Sequence, residues 1–152
     1  MMQPDSLNFS ENKPYRHVAL ALGYYDYWIN VGIARFAREH HWRIDKVSAV
    51  PQGLSPQQYD GVICLLTPQT PPFMLDFVRM AEVPVVDLVD EHRELSVHRV
   101  IYDNFAIGEL AAKHFLERGF ERFIYYQMSH AQVELERKRG FETRINRHGF
   151  EL

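Results

Sequence analysis

Residues 17–41 read HVALALGYYDYWINVGIARFAREHH, and they contain the first strand–helix unit of the chain. Residues 17–22 run apolar, as a buried strand does, and the run stops at Gly23. From Asp26 onward apolar side chains recur at helical spacing, with Arg35 and its charged neighbours on the opposite side. The stretch therefore predicts a buried strand, a turn and a helix that extends to about residue 41.

The same alternation continues along the rest of the chain. Extended segments are predicted at residues 42–47, 59–66, 83–89, 97–102 and 122–126, and helices at residues 73–81, 104–118 and 132–147, the last two ending at Gly119 and Gly149. Strands that alternate with helices pair in parallel through right-handed crossovers. The predicted fold class is α/β, with a doubly wound, Rossmann-like parallel sheet. Such sheets bind ligands beyond the carboxyl ends of their strands.

Composition and charge exclude several classes of protein. The 152 residues, 46% of them hydrophobic, are enough for one domain with its own core. The formal net charge of -3 provides no basic excess, so we expect no direct binding of nucleic acid by this segment. Cys64 is the only cysteine, which excludes an intrachain disulfide, and its apolar neighbours predict a small core residue.

The first sixteen residues are polar and contain Pro4 and Pro14. They lack the apolar segment of a secretion signal, and no later run reaches the roughly 18 apolar residues of a membrane span. We therefore predict a disordered leader over residues 1–16 and a cytoplasmic protein with no membrane partner.

The turn after the first strand is bulky and aromatic. It reads GYYDYW over residues 23–28, without the glycines that bring a backbone close to a pyrophosphate, so no dinucleotide or other cofactor is expected. Aromatic faces can cover the C–H surface of a sugar while the carboxylate of Asp26 accepts hydrogen bonds from its hydroxyls. This pattern favours a neutral polyol. In the alternative interpretation, Tyr24 and Tyr27 only cover the core.

Catalytic and metal-binding patterns are weak. Ser129 and His130 follow a predicted strand but lack the strained turn that exposes a catalytic serine. The carboxylates of residues 87–94, with His92 among them, match no metal-ligand spacing, so no metal is predicted. We read this stretch as a solvated loop and keep Asp90 as a ligand-binding candidate. The chain is not expected to be an enzyme; an α/β enzyme that depends on Asp90 or Asp103 is the alternative.

Three stretches carry a resemblance to a known family. The first stretch contains Tyr25-Asp26, GIARFAREH at residues 32–40 and Trp42. The second contains PVVD at 84–87, VIYDNFAIGELAAKHFLERG at 100–119 and the predicted strand that follows. The third contains ERKRGF at 136–141 and HGFE at 148–151. Together they resemble the effector domain of the lactose-repressor and galactose-repressor family. They resemble more closely its xylose operon regulator branch, whose DNA-binding part is of the AraC type. The resemblance covers nearly everything after residue 16.

The resemblance implies a type I periplasmic-binding-protein fold, in which two lobes close on a sugar and change the geometry of a dimer on DNA. It assigns residues 17–152 to the N-terminal lobe. The second lobe and the DNA-binding domain are then expected outside this chain. The implied partners are a monosaccharide effector, with a pentose favoured, a second copy of the chain, and DNA bound only through the absent domain.

The resemblance also implies site residues. Arg137 occupies the position of the family's ligand-contacting arginine, three residues before Gly140, where a guanidinium can donate to adjacent hydroxyls. Tyr25 and Asp26 match positions that face the cleft. Asp103 matches the acidic residue that opens the long helix, where it can also act as a helix N-cap.

Two further predictions concern the strand ends and the outer surface. Tyr24 and Thr67 lie at predicted strand ends and are added to the ligand-binding candidates. The alternative function is a stand-alone dimerisation module that uses outward apolar groups such as Trp28 and Val31 and binds no sugar.

Overall fold

A computed structural model describes residues 15–47 and 54–152 of the protein. Residues 1–14, which make up most of the predicted leader, lie outside the described residues. The chain forms two compact units, Met1–Asp87 (unit 1) and Leu88–Leu152 (unit 2). The assignment of residues 17–152 to one lobe of a larger protein stays a prediction.

Unit 1 is a parallel sheet with connecting helices. Its elements are β1 (Arg16–Leu22), α1 (Tyr27–Glu39), β2 (Trp42–Lys46), a 3₁₀ turn (Pro56–Gln58), β3 (Gly61–Leu65), α2 (Pro72–Arg79) and β4 (Val85–Asp87). The strands lie in the order β2-β1-β3-β4 and pair in parallel. The order reverses direction at β1, so right-handed crossovers place α1 and α2 on opposite faces of the sheet. The predicted doubly wound α/β class is confirmed.

The core of unit 1 is centred on β1 and β3. Residues Val18 to Leu22 of β1 are all buried because strands flank β1 on both sides. Cys64 is fully buried in β3, as predicted. The helices contribute to the core unequally. In α1, Phe36 is 46% exposed and stacks on His40, whereas in α2 the buried residues are Met74, Phe77 and Val78.

Unit 2 contains a short strand and two closely packed helices. They are β5 (His98–Arg99), α3 (Asn104–Leu116) and α4 (Gln132–Asn146). A Cβ at Gly108 would overlap the carbonyl oxygen of Arg137, and a Cβ at Gly140 would overlap the carbonyl oxygen of Phe105. The two glycines therefore let the helix backbones approach each other directly, and Phe141, Ile145 and Ala112 fill the core beside them.

Each helix ends three residues before its predicted glycine. Gly119 and Gly149 have positive φ angles of 76° and 82°, which glycine adopts without strain. Just after them, the Phe120 and Phe150 amides donate back to carbonyls of the preceding helical turns. The predicted helix stops are confirmed.

The predicted strand at residues 122–126 is wrong as a description of this structure. Phe123 and Tyr125 pack against Phe141, whereas Ile124 is 95% exposed, so the predicted alternation of inward and outward side chains is present. Within the described residues, however, no neighbouring strand pairs with this segment. A strand requires a hydrogen-bonded partner as well as the right pattern.

Candidate functional site

Unit 1 brings two of its predicted site segments to the same edge of the sheet. The amide of Gly23 donates to the carbonyl of Leu65 over 2.9 Å, which extends the β1–β3 pairing past the end of β1. The following Thr67 amide donates to the hydroxyl of Thr70, 2.8 Å away. A side chain at Gly23 would overlap that same hydroxyl, so any larger residue there would force Thr70 to move. This edge lies where the strand order reverses, the usual ligand position in such sheets.

The aromatic residues after β1 face solvent. Tyr24, Tyr25 and Tyr27 are about half to two-thirds exposed, with Tyr25 at 66%. They therefore do not simply cover the core, and their ring faces are accessible to a ligand. Asp26 accepts a hydrogen bond from the Ile29 amide over 2.8 Å and caps α1. One oxygen of that carboxylate is thus committed to the helix.

In unit 2, Asp90 is held by two arginines. It forms ion pairs with Arg93 and with Arg99, whose Nε lies 3.3 Å from the carboxylate. Arg99 is itself fixed, because its Nη2 donates to the carbonyls of His92 and Leu95. The loop around Asp90 is therefore held by charge and hydrogen bonds, while the side chains of Arg93 and Glu94 in the same loop are exposed to solvent.

Asp103 and Asn104 open α3 and have different roles. Asp103 accepts a hydrogen bond from the Ala106 amide over 2.9 Å, so it is the N-cap of α3, as predicted. Asn104 is only 9% exposed, and its Oδ1 accepts from Nε of Arg137 over 2.9 Å. Sequence reasoning singled out Asp103 and Arg137 and missed Asn104. Its position in the Asp-Asn pair at the helix start was the available signal.

A cavity of about 610 Å³ lies between the beginnings of α3 and α4 within unit 2. It is open to solvent, and its walls include Asp90, Asp103, Asn104, Glu136 and Arg139. Arg139 pairs with Glu136 over 2.8 Å and lies over the ring of Phe105. The wall thus offers carboxylate, amide and guanidinium groups beside an aromatic ring, a set suited to hydroxyl-rich ligands. Arg137 is not part of this wall, but its partner Asn104 is.

Two carboxylates, one in the loop after β4 and one in α4 itself, accept hydrogen bonds from backbone amides at or just before the start of α4. Glu91 accepts hydrogen bonds from the amides of Gln132 and Val133, at 2.8 and 3.3 Å. These amides belong to the first turn of α4, where backbone donors have no partner within the helix. Glu134 accepts from the amides of Met128 and Ser129 just before the helix. Sequence reasoning missed Glu91, because its partners are more than forty positions away.

Glu134 provides a test of this arrangement through pH. The hydrogen bond from the Ser129 amide is the main cause that lowers the pKa of Glu134 below its ordinary 4.5. The ionised carboxylate therefore stabilises the folded state above pH 4.5, and this contribution is lost as pH falls through the lowered folded-state pKa. We expect Glu134→Gln to make stability less dependent on pH in this acid range, as measured by urea unfolding at several pH values.

The control for this experiment is Glu117→Gln. Glu117 pairs with Lys113 on the exposed surface, so the substitution removes the same charge without touching the loop before α4. If the Glu134 and Glu117 variants show the same acid dependence, the proposed contribution of Glu134 is absent.

Two basic side chains at and just beyond α4 form ion pairs on the surface. Lys138 pairs with Glu142, and Arg147, which follows the helix, pairs with Glu109. Among the described residues there is no group of three or more His, Cys, Asp and Glu side chains that could hold a metal ion. In the same part of the chain, no helix is long and apolar enough to span a membrane.

Several solved protein structures have a similar fold. A LacI-type transcription regulator from Bifidobacterium animalis subsp. lactis superposes with a TM-score of 0.61 at 20% identity, over 90% of this chain and 56% of that one. A periplasmic solute-binding protein of an ABC transporter from Actinobacillus succinogenes 130z, with bound D-allose, gives 0.63 at 17% identity, over 91% and 57%. This chain has a periplasmic-binding-protein-like fold. A third similar structure is the complex of the transcriptional regulator CelR with cellobiose, with a TM-score of 0.56 at 23% identity, over 92% and 50%.

The chain spans about half the length of each of the three solved proteins. Neither a protein-family model nor a curated protein matches its sequence. The predicted type I periplasmic-binding fold is thus confirmed. Regulators of the LacI family are among the proteins that share it, and a closer relation to the xylose regulator branch stays a prediction.

Proposed function

We propose that this chain is part of the sugar-sensing domain of a cytoplasmic transcription regulator, and that it binds its effector without catalysing a reaction. A pentose is the favoured effector, as in the xylose regulator branch. DNA contact and the rest of the ligand cleft belong to parts of the protein outside this chain, and the active form is a homodimer.

The observation that carries the proposal is the arrangement of polar groups at the start of α3. Asn104 and Asp103 border a 610 Å³ cavity, and Asn104 holds Arg137, the residue predicted to contact the ligand. In unit 1, exposed tyrosines and Thr67 follow the strand ends where the strand order reverses. The proteins of similar fold include two solved with sugars, D-allose and cellobiose, which supports a sugar as the ligand class.

A thermal-shift screen tests the proposal. The full native protein is heated in the presence of D-xylose, L-arabinose, D-glucose, D-allose and cellobiose, because a ligand that binds only the folded state raises the melting temperature by mass action. We expect at least one monosaccharide to raise it in proportion to the logarithm of its concentration. A folded protein that none of these sugars stabilises would contradict the proposal.

A dimerisation module without sugar affinity is the second candidate, and one observation favours it. Trp28 is 77% exposed on α1, and Val31 is exposed one turn further along the same helix. An exposed tryptophan beside an aliphatic residue is typical of a protein contact surface. Concentration-dependent dimerisation that Trp28→Ala abolishes, together with no response in the sugar screen, would favour this function over the first.

A further inference from the structure

Arg137 differs from the two basic residues that follow it directly on α4 in the kind of partner that it has. Lys138 and Arg139 pair with carboxylates, which offset their charge. Arg137 is instead held by the neutral amide of Asn104. In the part of the chain that the structure describes, it forms no direct ion pair, although its charge helps to lower the pKa of Glu134, and its two terminal Nη groups donate to no protein acceptor.

The amide of Asn104 has a fixed orientation. Its Nδ2 donates to the carbonyl of Tyr102 over 3.2 Å, so Oδ1 is the atom that faces Nε of Arg137. Asn104 is buried in the first turn of α3, whose start is capped by Asp103. A side chain that is packed and hydrogen-bonded on both polar atoms can hold another side chain in one orientation.

We propose that Asn104 is a positioning residue for Arg137, an inference that rests on the proposed sugar-sensing function for its purpose. The amide oxygen accepts only from Nε. It leaves the Nη1 and Nη2 groups to donate to a ligand with two adjacent acceptor oxygens, such as the vicinal hydroxyls of a sugar. A carboxylate in place of the amide would hold the same donor but offset the charge.

Nuclear magnetic resonance of the ligand-free protein tests the positioning directly. The Nε–H proton of Arg137 is expected to exchange slowly with water in the native protein because it is engaged with Asn104. We expect Asn104→Ala to bring its exchange to the rate of an exposed arginine, and Asn104→Asp, which retains the acceptor, to restore slow exchange.

Asp103→Ala is the matched control. It removes the cap of the same helix, and so loosens the start of α3, but leaves the acceptor for Arg137 in place. If the Arg137 Nε–H exchanges slowly in Asp103→Ala and rapidly in Asn104→Ala, the result supports positioning by Asn104. Fast exchange in the native protein, or exchange unchanged in Asn104→Ala, overturns the proposal.

A titration with D-xylose and D-allose connects the positioning to binding. Losing a pre-oriented side chain costs roughly threefold to tenfold in affinity, and we expect this weakening in Asn104→Ala for whichever of the two sugars binds the native protein. Unchanged affinity in a variant that has lost slow exchange would overturn the role in binding. If neither these sugars nor the others in the screen bind while the exchange pattern is as expected, the sugar-sensing function fails and the positioning contact stands.

Discussion

Gly108→Ala is expected to destabilise the α3–α4 pair by about 3 kcal/mol, the upper part of the range for overpacking a filled interface. The new methyl group would overlap the Arg137 carbonyl and the Phe141 amide, which are backbone atoms and cannot rotate away. The gain in helix propensity, about 1 kcal/mol, offsets only part of this cost. Gly140→Ala should act alike, because its methyl group would overlap the Phe105 carbonyl from the opposite side.

Amide hydrogen exchange along α3 and α4 measures this effect within unit 2. The control is Gly32→Ala, a glycine-to-alanine change in the exposed face of α1 with open space around the new methyl group. It should leave exchange in α3 and α4 unchanged and stabilise α1 by up to about 1 kcal/mol. Equal protection of α3 in Gly108→Ala and in the native protein would contradict the close approach of the two helices.

Arg137→Ala is expected to weaken sugar binding by about 1.5 to 3 kcal/mol, which is roughly a tenfold to 150-fold loss of affinity. The physical reason is the loss of charged hydrogen bonds from a guanidinium whose hydrogen-bond partner in the described chain is the neutral amide of Asn104. Isothermal titration calorimetry of the full native protein, with the sugar found in the thermal-shift screen, gives the affinity of each variant.

Lys138→Ala is the control for this experiment. It removes one positive charge from the adjacent position of α4, but that charge already pairs with Glu142. We expect its affinity to stay within twofold of the native value. An Arg137→Ala variant that binds as tightly as Lys138→Ala would remove Arg137 from the ligand site.

The elements that sequence reasoning predicted correctly are those with a local signature. The continuous apolar runs of β1 and β3 indicated strands that are covered on both sides, and Gly119 and Gly149 marked the helix ends. Asp26 and Asp103 precede helices, where a short carboxylate side chain caps the first turn. Each of these features depends on residues within a few positions of one another.

The features that were missed depend on distant partners. Glu91 meets the amides of α4 from the loop after β4, and Asn104 meets Arg137 from another helix, 33 positions away. Residues 122–126 show the opposite case, since their alternating pattern is correct and the partner strand that would complete it is not among the described residues. Pattern alone cannot determine which segments of the chain lie side by side.

The central claim is that this chain binds a sugar through the groups at the start of α3. Chemical-shift mapping of the full native protein with the most stabilising sugar of the screen tests it most directly. The account predicts saturable shifts at the Arg137 Nε–H and at Asn104. Shifts confined to other surfaces, or no sugar that produces saturable shifts in the folded protein, would contradict it.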